Sequence, residues 1–169
     1  MSHHEPKEKH DHKILKFPEG FLWGSATSAY QVEGNNTNSD WEDFKSAGAA
    51  CDQYNLYESD FDLIKQLNHN AHRLSIEWSR IEPREGEFDT SEINHYIKLL
   101  KYLKSLNIKV MLTLWHFSLP KWLAQKGGFE NGKSPYYFER FVKRIAPELF
   151  EYVDFWITLN EPEVYVYEA

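Results

Sequence analysis

The apolar positions of this chain change period several times after residue 17, and each change marks an element. Phe21 to Thr27 is dense in large apolar side chains and predicts a first strand. A long polar loop from Ser28 to Asn38 follows it. Tyr57, Phe61, Ile64 and Leu67 then recur at three- and four-residue spacing, which lays one apolar stripe along a helix. Ala71 to Trp78 returns to strand composition. Ile93, Ile97, Leu100 and Leu103 define a second amphipathic helix, and Asp89 with Glu92 three residues on predicts a capping box at its start. Lys109 to Leu114 predicts a third strand, apolar enough to be buried on both faces. Ser134 and Pro135 suit the N-cap and first position of a third helix, with Phe138, Phe141, Val142, Ile145 and Leu149 on its apolar face. Pro147 falls inside that pattern and predicts a kink or a break. The run Trp156 to Leu159 reads as a fourth, buried strand.

The order β-α-β-α-β-α-β places the chain in the α/β class and implies parallel strands joined by right-handed helical crossovers. Periodicity alone fits an open sheet and a closed barrel equally. No internal repeat or second domain is visible. Residues 1–16 are mostly charged, with His3, His4, His10 and His12 interspersed. Such a tract reads as a disordered tail more readily than as a metal site.

Composition narrows the classes of function. Hydrophobic residues make up 41% and charged residues 27%, as in ordinary soluble domains. Aromatic residues reach 16%; they fill cores, but Trp and Tyr also form platforms for the apolar faces of sugars. A net charge of −7 argues against nucleic acid or an anionic membrane as partner. The single cysteine, Cys51, forms no intrachain disulfide, which points to a reducing compartment. With no signal-peptide core or long apolar span, the cytoplasm is the expected location.

The chemistry concentrates where the fourth strand ends. After Leu159 the chain turns abruptly to Asn160, Glu161 and Pro162. Proline holds the preceding residue out of the helical region and donates no N–H, so the strand stops there. A carboxylate is thereby presented at the carboxyl end of a strand, where α/β folds keep their ligands. Alone, this is also what an ordinary strand end with a solvated Glu looks like.

Four separated stretches, Phe17–Gly34, Arg73–Pro83, Thr113–Pro120 and Trp156–Pro162, resemble the family 1 glycoside hydrolases, the β-glucosidase and β-galactosidase family. They occur in the family's order, and the resemblance runs from Phe17 to the C-terminus. It implies the N-terminal half of a (β/α)8 TIM barrel, four strands and three helices, with the active site at the carboxyl ends of the strands. It implies hydrolysis of β-linked glycosides or oligosaccharides with retention of configuration, and no cofactor or metal. By the resemblance, Glu161 is the general acid/base and Asn160 binds the sugar's 2-hydroxyl. Gln31 and His116 hold other hydroxyls of the innermost sugar, and Arg73 lies beside the nucleophile.

These residue types suit that chemistry. A glycosidic oxygen leaves poorly unless protonated, which calls for a carboxylic acid. Sugar hydroxyls both donate and accept, which suits Gln, Asn and His. Singly, each has an ordinary reading as well: Gln31 as a solvated loop residue, His116 as a satisfied strand-end histidine, Arg73 as the ion-pair partner of a carboxylate such as Glu77.

Two departures stand out. The family often has Trp-Asp after the third-strand histidine, where this chain has Phe117-Ser118, and Asn35 to Ser39 is short for the loop it replaces. A third is larger: the family's nucleophile, in a Thr-Glu-Asn-Gly motif near the seventh strand, does not occur in these 169 residues. Glu33 and Glu77 are the nearest other acids by position, and neither matches it. The expected protein is an incomplete β-glycosidase that needs a complementary half or associates through open sheet edges. A half-barrel that only binds a sugar or other ligand, or one that merely self-associates, fits the same residues.

Overall fold

The computed structural model describes residues 15–168; the four N-terminal histidines lie outside them. In chain order the elements are β1 (Gly24–Ala26), α1 (Ala29–Val32), α2 (Asp40–Phe44), α3 (Gln53–Gln66), β2 (Ala71–Ser75), α4 (Trp78–Ile81), α5 (Thr90–Ser105), β3 (Lys109–Trp115), α6 (Lys121–Ala124), α7 (Ser134–Leu149), β4 (Phe155–Leu159) and α8 (Pro162–Glu168). The strands form one sheet in the order β1-β2-β3-β4 with every pairing parallel. This is the predicted half barrel.

The alternation of side chains along β2 and β3 divides the sheet into two unlike faces. Leu74, Val110, Leu112 and Leu114 point into one core with Phe61 and Ile64 of α3, Leu100 and Leu103 of α5, and Phe141 and Ile145 of α7. Each such side chain contributes roughly 1.5–3 kcal/mol on burial. The intervening positions carry Arg73, Ser75 and Thr113, and there Arg73 Nε donates to Thr113 Oγ1 at 3.2 Å. One face is therefore hydrocarbon and the other polar. Gly24 permits the tight seating of β1, because a Cβ there would lie 2.3 Å from the carbonyl oxygen of Ala71.

Several local expectations need correction. β1 is three residues long, since it pairs on one side only, and the predicted polar loop after it contains the short helix α1. The second strand stops at Ser75 because Glu77 caps α4, accepting from the N–H of Ser79 at 3.3 Å. Leu67 lies just past α3 and is exposed, so it leaves the predicted stripe. Asp89 caps α5, but Glu92 does not close the box; its carboxylate accepts from the Tyr54 hydroxyl instead. Ser134 is likewise no cap, and its hydroxyl donates to the carbonyl of Gly128. Pro147 neither breaks α7 nor ends it. It lies near the last turn, and both Pro147 and Lys143, whose carbonyl it deprives of an N–H, are exposed to water.

The largest correction concerns β4. It is half-buried at best, with Phe155 44% exposed and Thr158 also exposed. No strand pairs with its far edge among the described residues, nor with the far edge of β1. Phe17, Phe21 and Trp23, mutually packed at 4.5–4.8 Å between ring centroids, remain partly exposed before β1. No helix among the described residues is long and apolar enough to cross a membrane.

Candidate active site

The carboxyl ends of β1 and β3 make one wall of a small cleft. Its lining includes Ser28, Tyr30, Gln31, Trp41, His116, Phe117 and Ser118, around an empty volume of about 190 Å³. Gln31 sits on α1, which is fixed to β2 where the N–H of Ala29 donates to Ser75 Oγ at 2.7 Å. The Ser28 hydroxyl donates to Gln31 Oε1 at 2.7 Å, so the amide NH2 of Gln31 remains available to a ligand. The structure thus places Gln31 and His116 in the lining of one cleft.

His116 is held neutral near pH 7. Burial, and then the nearby charge of Arg73, push its pKa down to about 4. A neutral imidazole offers one donor and one acceptor, which matches a sugar hydroxyl. Its Nδ1 is buried with no partner among the described residues. Phe117 next to it stacks on Trp41 with centroids 6.1 Å apart and planes 15° from parallel, so the cleft has an aromatic flank.

Arg73 and Asn160 also meet. Arg73 Nη2 donates to Asn160 Oδ1, and Asn160 is buried, with its own N–H donating to the Trp115 carbonyl at 3.0 Å. The predicted alternative pairing of Arg73 with Glu77 does not form. Instead, Glu77 accepts from the hydroxyls of Ser79 and Ser118 at 2.6 and 2.8 Å.

Glu161 is exposed and is not part of the cleft lining. Its φ of 42° lies in the left-handed region, an unusual state for a residue before proline. Pro162 then opens α8, which packs back through Tyr165 against Trp115 at 5.3 Å. The polar face therefore holds two pairs, Gln31 with His116 and Arg73 with Asn160, and one acid beside them facing solvent. Sequence reasoning missed Trp41 and Ser75, because only the fold brings them to the cleft and to α1. Among the described residues no group of three or more His, Cys, Asp or Glu side chains could hold a metal ion.

A parallel half-barrel with polar amide, imidazole and carboxylate groups at its strand ends carries them where (β/α)8 enzymes keep their active sites. Residues 13–169 match the family model for glycosyl hydrolase family 1. The chain is 34% identical over 166 residues to β-glucosidase A of Acetivibrio thermocellus, covering 89% of this chain and 37% of that one. The solved β-glycosidase of Pyrococcus horikoshii is 40% identical with a TM-score of 0.85, over 90% of this chain and 37% of that one. The β-glucosidase of Thermotoga maritima, solved in complex with castanospermine, matches with 34% identity and a TM-score of 0.86 over 89% and 38%. The chain belongs to glycosyl hydrolase family 1, and it spans less than two-fifths of the length of these relatives.

Proposed function

We propose that this chain carries the acid/base half of a retaining β-glycosidase. Glu161 protonates the departing glycosidic oxygen, Asn160 binds the 2-hydroxyl, and Gln31 and His116 hold the remaining hydroxyls of the innermost sugar. Arg73 orients Asn160 and presents positive charge toward the nucleophile's side of the ring. The observation that carries this reading is the meeting of Gln31 with His116 in one cleft and of Arg73 with Asn160 in one hydrogen bond. Substrates are β-linked glycosides or oligosaccharides.

A retaining mechanism needs a second carboxylate about 5–5.5 Å from the first, on the opposite face of the sugar. Glu33 and Glu77 do not supply it, because both are buried and committed to internal hydrogen bonds. By the family resemblance, the nucleophile is expected from strands that complete the ring. The chain as given is expected to hydrolyse nitrophenyl β-glucoside no faster than its Glu161→Ala variant. Fusion to the remaining strands of the Thermotoga maritima enzyme should restore turnover, since the strands on either side of the joints share one fold. A chimera that folds cooperatively yet shows no turnover would overturn the assignment.

The unpaired edges lead to a second expectation. β1 and β4 contain neither charge nor proline, the usual protections of an edge strand. The isolated chain should therefore associate, through a second copy or the complementary half. Sedimentation velocity across a hundredfold concentration range checks this. A compact monomer throughout would contradict it.

A further inference from the structure

Two carboxylates lie behind the cleft and take no part in the chemistry proposed above. Glu33 is 3% exposed and Glu77 1%. Glu33 directly follows α1, the helix that carries Gln31. Its Oε2 accepts from Arg80 Nε and its Oε1 from the Tyr96 hydroxyl, both at 2.8 Å. Glu77 Oε2 accepts at 2.8 Å from Ser118, two residues beyond His116. The Tyr96 oxygen in turn accepts from the N–H of Glu77 at 3.0 Å. One continuous chain of buried hydrogen bonds thus runs from the Gln31 side of the cleft, through Glu33, Tyr96 and Glu77, to the His116 side.

We propose that Glu33 and Glu77 are a coupled pair of positioning residues that set the spacing of Gln31 and His116 across the cleft, with Tyr96 as their link. For sugar binding the proposal rests on the reading of that cleft given above; the coupling itself does not.

The charges around the pair make the spacing sensitive to ionisation. Arg80, from α4, is the cation paired with Glu33, and it also stacks at 4.6 Å on the Tyr54 ring of α3. Tyr54 donates to Glu92 of α5 and stacks on His95 of α5 at 3.9 Å. One guanidinium therefore faces three carboxylates, those of Glu33, Glu77 and Glu92, while burial and its own charge keep His95 neutral down to about pH 4. Burial raises the pKa of Glu33 to about 7, with Glu77 adding to the rise and Arg80 and Tyr96 opposing it. Glu77 is raised as well, first by burial.

The sign follows from linkage. A carboxyl whose folded pKa lies above its unfolded value stabilises the fold fully below the unfolded pKa, and that contribution is lost as pH rises through the folded one. The window is pH 4.5 to about 7 for Glu33. Above it, ionised Glu33 draws on Arg80 and repels Glu77. The two carboxylates are tied to opposite sides of the cleft, so both sides should respond at one midpoint.

The test uses this chain with 15N-labelled Gln and 13C-labelled His, titrated from pH 5 to 9. The Gln31 side-chain amide and the His116 ring should shift together with a midpoint near 7, well above the titration of His116 itself. Glu33→Gln should abolish that shared transition. Tyr96→Phe removes a hydrogen bond that favours the ionised form, so the Gln31 transition should move up, and it cuts the link, so His116 should follow it less or not at all. Glu77→Gln removes a repelling charge and should move the midpoint down. A purely structural role would leave no common midpoint to displace. Wild-type resonances that do not move together overturn the proposal without recourse to any variant, as does a transition that survives Glu33→Gln. These signals do not depend on turnover, so an inactive chimera would refute the glycosidase assignment and leave the coupling standing.

Discussion

Glu161→Gln, placed in a barrel completed by the missing strands, is expected to slow hydrolysis of an alkyl β-glucoside by on the order of 10²–10⁴-fold. A dinitrophenyl β-glucoside should lose far less in the glycosylation step. The difference comes from the leaving group. An alkoxide departs only as it gains a proton, so a glutamine that cannot donate one removes the interaction made in the transition state. A dinitrophenolate leaves as a stable anion and needs no proton. The relevant readout is the pre-steady-state rate of glycosylation for both substrates, since in the proposed retaining mechanism the acid would also act as base when water attacks the intermediate. Equal losses on both would remove Glu161 from the acid role. The exposed, left-handed Glu161 of this half-barrel suits a residue whose far wall comes from other strands. In its present solvated surroundings nothing excludes water from it.

What the sequence disclosed depended on how local the cause was. The four strands and three long helices were legible because each rests on a period within one segment, such as Phe61 with Ile64 or Phe141 with Ile145. The candidate site residues were legible as a set of motifs; that Gln31 and His116 line one cleft and that Arg73 donates to Asn160 came only with the fold. Other features have non-local causes. The capping-box reading of Glu92 failed because Tyr54, 38 residues earlier, competes for the carboxylate. Ser134 failed as a cap because Gly128 offers its hydroxyl a buried acceptor. The fourth strand was read as buried from composition, but burial of Phe155 requires a neighbour that β4 does not have here. The Glu33–Tyr96–Glu77 chain spans 63 residues between Glu33 and Tyr96 and has no spacing signature.

Trp78→Ala should cost this chain most or all of its folded population. Trp78 is 1% exposed and stacks on Phe141 with centroids 4.7 Å apart, while Phe138 and Trp122 close around it at 5.7 and 6.3 Å. Truncating such a ring leaves a cavity between α4 and α7 and costs about 3–5 kcal/mol. The indole also donates from Nε1 to Glu82 Oε2 at 2.8 Å, and Glu82 is wholly buried. Withdrawing that donor from a buried carboxylate adds about 1–3 kcal/mol. Glu82 keeps the N–H of Gly86 and the guanidinium of Arg140, so its charge is not left bare. The sum is a large part of the roughly 5–15 kcal/mol that stabilises a domain, and a half-barrel with two open edges has less than most to lose. Trp78→Phe separates the two effects, because it keeps most of the packing and removes only the donor; its loss should fall near the lower figure. Urea unfolding followed by circular dichroism, at one fixed protein concentration because association shifts apparent stability, distinguishes them. An alanine variant whose midpoint matches wild type would mean that the core of this half-barrel is not organised around Trp78. Because Trp78 directly follows Glu77, its loss should also disturb the cap of α4 and, through Ser118, the His116 side of the cleft.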